Sequence, residues 1–387
     1  MTIGAKQACD AAQLISRENP RLLFQEIVEP TGKLIPHWSG IPDLQRQMDD
    51  LFTGDSNKGF QYPLRSFAAS NSAVLLKIVA RNIFSVGRRV LVTDLVWGNH
   101  LRLLQREAWR TQSEVVVVPI RQHLANPDFG ADKIANCVAN AFADQQCDSM
   151  FLTAVSSDGI RLPINKILAR IDQRKIRQVF VDGAQEFAHL EECQMNEQVD
   201  GYLFSAHKWV QAYHPLSLMV YGSRRSASQI QMTLDRLIKS GEVDDPLIRF
   251  WNSQISRGSG QHDETVNVLP LVAFAGALRD LEKNQPQASL RKQNINRIRD
   301  LFDDRAWRFR SDRVHPTLQT GIEIVSYLEG TTGPASQFEQ NLSANGIEVT
   351  VCNSNSIRLS FPNVALTETE VAVVANALDC ICTTFAN

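Results

Sequence analysis

The sequence predicts an α/β protein built on a mostly parallel sheet, and three observations predict it. From about residue 70 to 222, short apolar runs alternate with amphipathic helical patterns, the alternation that a parallel sheet with crossover helices requires. Several of those runs are apolar at every position, as strands are when helices cover both faces of a sheet. Both ends of the chain read differently, which sets the alternating segment apart as the body of one large domain.

Taken in order, residues 1–45 hold two helical patterns broken by Pro20, Pro30 and Pro36, with little strand character. They read as an N-terminal arm packing near a small domain. Residues 46–285 read as the large domain. Its candidate strands are Val90–Asp94, Val115–Ile120, Met150–Val155, Val179–Asp182, Gly201–Phe204 and Leu218–Tyr221. Between them Ser72–Phe84, His100–Trp109, Asp132–Ala143 and Ile164–Gln173 carry apolar residues at helical spacing. The apolar run Val266–Leu278 is too short to span a bilayer and reads as a buried helix. Residues 286–387 read as a small α+β domain, with a helix over Leu290–Phe302 and short strands such as Gly321–Ser326 and Ser356–Ser360. A last helix opens with Thr367-Glu-Thr-Glu370, whose Thr and Glu stand at the spacing of a capping box.

Composition narrows the function. Of 387 residues 43% are hydrophobic and 21% charged, as in an ordinary globular protein rather than a disordered one. Lys plus Arg at 40 against Asp plus Glu at 42 gives a net charge of -2, which argues against a nucleic-acid partner. Seven cysteines are scattered without a Cys-x-x-Cys pair, and Cys380-Ile-Cys382 lies in a helical pattern. Neither a disulfide framework nor a zinc site is expected, and a reducing compartment is the simplest reading. The eight histidines form no His-Glu-x-x-His cluster, which tells against a metal hydrolase. No Gly-x-Gly-x-x-Gly follows the first strand, which tells against a dinucleotide enzyme. No signal peptide is visible at the N-terminus, so the expectation is a cytoplasmic protein without a membrane partner.

Two stretches carry chemistry. Val179-Phe-Val-Asp-Gly-Ala-Gln185 is an apolar strand ending in an Asp and a glycine turn, and Phe204-Ser-Ala-His-Lys-Trp209 is a second strand ending in Ser-x-His-Lys. Ligands of open α/β sheets bind beyond the carboxyl ends of the strands, where both motifs lie. Asp182 and Lys208 would there face one crevice, either as a plain buried ion pair or as a Schiff-base lysine with a carboxylate that keeps a pyridine nitrogen protonated. The donors Gln185, Ser205 and His207 around them favour the second reading, since an ion pair has no need of them.

With Asp182-Gly-Ala-Gln185 followed by Ser205-Ala-His-Lys208, the sequence resembles the class V branch of the fold-type I pyridoxal-phosphate enzymes. That branch includes aminotransferases, cysteine desulfurases, kynureninase and isopenicillin N epimerase-like proteins. The resemblance spans roughly residues 65–280 with a C-terminal anchor. It implies a fold-type I architecture, with a large domain carrying a mostly parallel seven-stranded sheet and a small α+β domain. It implies pyridoxal 5'-phosphate (PLP) as cofactor, a small amino-acid substrate and a homodimer with shared active sites. Lys208 would form the Schiff base and move the Cα proton, and Asp182 would pair with the pyridine nitrogen. Gln185 would bond the phenolic oxygen, and Ser205 and His207 would hold the phosphate. By position Ser70 and Asn71, opening a helix, resemble the phosphate turn, although a plain N-cap explains them as well. Trp97 falls where the family stacks a ring on the pyridine. Arg358 resembles the arginine that takes the substrate α-carboxylate through its planar fork. Ser259, in Arg257-Gly-Ser-Gly260, sits near the turn that reaches the neighbouring subunit's phosphate.

The chain also departs from the family. The phosphate turn lacks its Gly-Thr pair, Val96-Trp97-Gly98 stands where an acidic-His-His pattern is common, and the run after Lys208 lacks the usual glycines. No nucleophilic cysteine stands well upstream of Arg358; Cys352, six residues before it, reads as a buried or half-buried apolar residue. That disfavours a persulfide desulfurase. An amino-acid aminotransferase is the leading expectation. An epimerase or racemase, with Tyr213, His214 or His100 as the second acid, a β-eliminating C–S lyase, and a non-catalytic scaffold of the same fold stay open beside it.

Overall fold

Gln178–Asp182, Gly201–Ser205 and Ser217–Tyr221 are buried at every position, as strands sandwiched between helical layers must be. They belong to the larger of two sheets in a computed structural model that describes residues 1–30, 33–53, 64–222, 227–257, 264–302, 307–328 and 335–385. Three helices come first, α1 (Ile3–Glu18), α2 (Pro20–Val28) and α3 (Ile41–Thr53). The large sheet and its helices follow as β1 (Arg65–Ala69), α4 (Ser72–Val86), β2 (Arg89–Thr93), α5 (Gly98–Arg110), β3 (Glu114–Val118), α6 (Ala131–Asp144), β4 (Ser149–Thr153), α7 (Ile164–Leu168), β5 (Gln178–Asp182), β6 (Gly201–Ser205) and β7 (Ser217–Tyr221). Then come α8 (Ala227–Lys239), α9 (Pro246–Arg257), α10 (Leu269–Lys283) and α11 (Ala288–Asp300). The C-terminal part holds β8 (Trp307–Phe309), β9 (Ile322–Tyr327), α12 (Ala335–Ser343), β10 (Thr350–Asn353), β11 (Ser356–Ser360) and α13 (Glu368–Phe385).

The seven strands run in the order β1-β7-β6-β5-β4-β2-β3, all parallel except β7. A four-stranded antiparallel sheet, β10-β11-β9-β8, makes the smaller layer. Two apolar cores follow. One lies around the large sheet; the other gathers Phe302, Trp307, Phe309, Phe338 and Leu378 between the small sheet and its helices. The mixed α/β architecture expected from the alternation is the one found.

The N-terminal arm, expected near the small domain, is instead built into the large core. Ala5, Ala8, Cys9 and Ala12 of α1 are buried there, on α10. Gly4 and Gly276 make the approach possible, since a Cβ on Gly276 would stand 2.3 Å from the Gly4 carbonyl oxygen. Among the arm's residues Thr2 and Ile3 do border residues 363–365 of the small domain across a cavity. Strand β1 lay outside the expected set because Arg-Ser-Phe-Ala-Ala has little β-branched character; its pairing with β7 makes it a strand. The helix expected over Ile164–Gln173 stops at Leu168, and Asp172 accepts the Arg174 N–H in a following 3₁₀ turn, the local competition that shortens helices. The capping box of the last helix is present, with Thr367 N–H donating to Glu370 at 2.7 Å and Glu370 N–H to Thr367 Oγ1 at 3.2 Å.

Candidate active site

Strand register brings the expected residues to one sheet edge. Asp182 pairs with Leu203, Ser205 with Ser217, and Ser217 with Ala69. The carboxyl ends of β5, β6 and β1 therefore present Asp182, Ser205 with Lys208, and Ser70 along one rim.

Asp182 is 7% exposed. Its Oδ1 accepts the Ala184 N–H at 3.0 Å, and its Oδ2 lies 3.1 Å from His100 Nδ1. Burial alone would push this carboxyl up; His100 and the charge of Lys208 outweigh it and hold the pKa below the ordinary value. The turn after it requires glycine, because a Cβ on Gly183 would fall 2.0 Å from the Tyr202 ring. Tyr202 in turn donates to the buried Glu186 at 2.9 Å, and Glu186 also accepts two bonds from Gln194. This satisfied network fixes the floor of the crevice.

Lys208 stands in the turn after β6, with its side chain open to solvent yet ringed by protein. Desolvation, aided by the charge of Arg358, lowers its ammonium pKa, while Asp182 opposes the shift. Ser205 Oγ is 3.1 Å from Ser217 Oγ. His207 is exposed and accepts the Leu216 N–H at a long 3.5 Å. Arg358, on β11 of the small sheet, is near enough for its charge to act on Lys208. Its Nε is buried without a hydrogen-bond partner among the described residues, and its one side-chain bond is a 3.4 Å contact to Ser360.

Trp209, to which the sequence reading assigned no role, organises the wall beside Lys208. Its indole N–H donates to Gln185 Oε1 at 2.8 Å, and its ring stacks on His189 at 3.8 Å and 10°. His189 joins the domains: the Gly321 N–H donates to its Nε2 at 3.0 Å, and its Nδ1 lies 2.6 Å from the Gln185 carbonyl. This pair of bonds requires the neutral tautomer protonated at Nδ1. Burial and the charge of Arg291 press its pKa down to about 3. The sequence signal for this arrangement was the Trp directly after the lysine.

Other expected residues are occupied otherwise. Ser70 gives both its N–H, at 2.9 Å, and its Oγ, at 2.6 Å, to Asp245 Oδ2. Asn71 caps α4, accepting from Ala73 and Val74 N–H, so in this structure the pair ties and caps the helix start. Trp97 precedes α5, half exposed, with its ring edge-on to His100 at 5.0 Å. Cys352, expected to be at least half buried, is exposed on β10. Ser259 lies outside the described residues. A cavity of about 550 Å³ is lined by Trp209 but by none of Asp182, Lys208 and Arg358. Among the described residues no group of three or more His, Cys, Asp or Glu side chains is arranged to hold a metal, and no helix is long and apolar enough to cross a membrane.

No protein-family profile matches the chain, and no curated protein matches it. Solved structures do. A ureidoglycine-glyoxylate aminotransferase from Bacillus subtilis aligns with a TM-score of 0.65 and 12% identity, over 90% of this chain and 85% of its own. A cystine C–S lyase in complex with its product cysteine persulfide aligns at 0.64 and 17% identity, over 98% and 94%. An alanine–glyoxylate aminotransferase from Nostoc sp. aligns at 0.63 and 15% identity, over 88% and 86%. The shared property is the fold: the chain has the architecture of these two aminotransferases and of this lyase.

Proposed function

We propose that this chain is a PLP-dependent enzyme acting at the Cα of an amino-acid substrate, most nearly as an amino-acid aminotransferase. What supports the reading is that Asp182 and Lys208 stand at one rim of the sheet and that Arg358 of the small sheet is near enough for its charge to act on Lys208. A structural ion pair does not need the third group, whose buried Nε has no protein acceptor among the described residues.

The residues fit the ring end of the cofactor. When bound, PLP supplies an electron sink for the charge left when a bond at Cα breaks. Asp182, kept ionised by His100 and Lys208, favours a positive charge at the pyridine nitrogen. Lys208 Nζ would hold the cofactor, and its lowered pKa suits it to take and return the Cα proton. With Trp209 holding Oε1 of Gln185, the amide Nε2 remains as a donor to the phenolic oxygen. Trp97 is the candidate ring neighbour. Arg358 offers its unpaired edge to the α-carboxylate. At the phosphate end Ser205 and His207 are the candidates, and Ser70 and Asn71 join them only by exchanging Asp245 and their helix N–H groups for phosphate. A homodimer, with Ser259 reaching the neighbouring cofactor, completes the proposal.

Transamination needs a single base on one face, which Lys208 supplies. Racemisation needs a second acid; of the three candidates His100 is engaged with Asp182, and Tyr213, 65% exposed, packs edge-on with His214. β-Elimination is the second reading, favoured by the C–S lyase that aligns over 98% of this chain.

The test is the visible spectrum of the purified protein before and after borohydride reduction, beside Lys208→Ala. A yellow chromophore fixed covalently at Lys208 is expected, and a colourless protein that takes up no added PLP would sink the proposal. Amino acids added singly then separate the two reactions: transamination accumulates the aminated cofactor, whereas elimination releases ammonia and a keto acid while the original band persists.

A further inference from the structure

Between α11 and β9, away from Asp182 and Lys208, lies a cavity of about 360 Å³ with Arg291, Lys292, Arg299, Thr320 and Glu323 in its lining. Arg291 is 4% exposed, and its Nε and Nη2 are buried with no acceptor among the described residues. Its surroundings offer little: its guanidinium carbon lies 5.7 Å from the Trp209 ring centroid, and its side chain presses so closely on Gly321 that a Cβ there would come within 1.9 Å. Glu191, the carboxylate whose charge acts on it, is bonded to the Ala288 N–H at 2.8 Å. Desolvation pulls the Arg291 pKa down to about 10. Arg299 is half-buried, with Nη2 bonded to Ser311 at 2.7 Å and 3.5 Å from Asp312 Oδ1, while its Nε has no hydrogen-bond partner among the described residues.

A buried guanidinium with free donors is costly unless something accepts from it. Arg291 is such a group, and Arg299, whose Nε also lacks an acceptor among the described residues, lines the same cavity. We propose that this cavity is a second ligand site, taking a small oxyanion (a carboxylate or a phosphate) between Arg291 and Arg299. The planar fork of arginine matches both chemistries, and the volume lies within the range of small-molecule sites. The carboxylate in the lining, Glu323, is no obstacle. Burial raises its pKa to about 7, against the opposing pull of Ser311, Arg299 and Arg310, so near neutral pH it is available as a protonated donor. An anion here would be felt beside Lys208, because Arg291 lies over the indole that holds Gln185.

The test is titration calorimetry on the full chain supplied with PLP, so that any phosphate site beside Lys208 is filled. Sodium phosphate and sodium succinate are titrated separately, with sodium chloride at equal ionic strength as control. Saturable heat from at least one oxyanion is expected, weakened about tenfold or more in Arg291→Gln and in Arg299→Gln, as loss of a charge-assisted bond requires. Binding of phosphate alone marks a phosphorylated ligand, and of succinate alone a carboxylate. Should Arg291→Gln fail to fold, the melting temperature of the unaltered protein serves, rising saturably with the oxyanion but not with chloride, and Arg299→Gln blunts the rise. No saturable heat or melting shift from either anion, or binding undiminished in the variants, overturns the proposal.

Discussion

Asp245→Asn tests the most unusual feature of the crevice, a buried carboxylate where a phosphate turn was expected. Asp245 is 2% exposed and accepts at both oxygens: Ser70 N–H and Oγ at 2.9 and 2.6 Å on Oδ2, Leu247 and Ile248 N–H at 2.9 and 3.2 Å on Oδ1. Asparagine keeps the second pair and sets an amide N–H₂ against the Ser70 N–H. Two bonds to a charged group are lost, each worth about 1.5–3 kcal/mol. Ser70 is exposed and water partly replaces them, so we expect a loss of about 2–4 kcal/mol. At about 2 °C per kcal/mol for a large domain, the melting temperature falls by roughly 4–8 °C. A Ser70→Ala cycle should recover about half the effect as coupling. PLP affinity should move the other way. A phosphate bonded to Ser70 would lie about 5 Å from this carboxylate, a repulsion of about 1–2 kcal/mol at an effective dielectric near 40, so the variant binds PLP about tenfold tighter. Calorimetric melting and a spectral PLP titration read the two arms. An unchanged melting temperature refutes the account of the Asp245–Ser70 tie, and unchanged PLP affinity refutes the placing of the phosphate at the start of α4.

Arg358→Gln is expected to lower kcat/KM for amino acids by about 10- to 100-fold, the worth of a charge-assisted bond; with its Nε unpartnered, melting should hardly change, and a large fall in stability would show a structural role instead. Glu323→Gln probes pH. A carboxyl raised to about 7 in the folded protein binds more protons folded than unfolded between its ordinary pKa and 7, so its contribution is intact at low pH and lost as pH rises through that window. The variant should match the wild type near pH 4 and exceed it at pH 8 by about 2–3 kcal/mol, read from urea denaturation; equal curves at both pH values refute the burial argument. Gly276→Ala drives a methyl into the Gly4 carbonyl and should cost about 3 kcal/mol or more, with early proteolysis of the N-terminal arm.

The sheet was legible because burial on both faces leaves strands such as Met-Phe-Leu-Thr and Gln-Val-Phe-Val-Asp without polar alternation. β1 was not, because its status rests on pairing with a distant strand, Ala69 opposite Ser217 and Arg65 opposite Tyr221, and no local pattern records that. That Asp182 and Lys208 share one rim of the sheet was legible since each stands at or just past the end of an apolar strand. His100 was weighed only as a second acid; what places it against Asp182 is the way α5 crosses the sheet edge. The role of Asp245 was equally hidden, because Asp-Asp-Pro before a helix reads as an ordinary cap, and only the fold brings it to Ser70. The arm's partner was hidden for a similar reason: the small residues of α1 show that it packs closely on something, and α10 becomes that partner only in three dimensions.

Two of the polar contacts between the large and the small domain respond differently to acid. Asp158 bridges Arg121 of the large domain and Arg310 beside the small sheet; burial would raise its carboxyl, but the two guanidiniums hold it far below the ordinary range, so this tie persists under mild acid. The other depends on neutral His189, whose Nε2 must accept the Gly321 N–H. With its folded pKa near 3, the unfolded chain binds the extra proton between about pH 6.5 and 3, and stability falls steadily as pH drops through that window. The same imidazole stacks on Trp209, next to Lys208. Protonating it would therefore break the Gly321 bond and loosen the wall beside Lys208 in one event, while the Asp158 bridge and the bonds from Asn363 to Ala188 and from Thr320 to Gly159 still held the small domain.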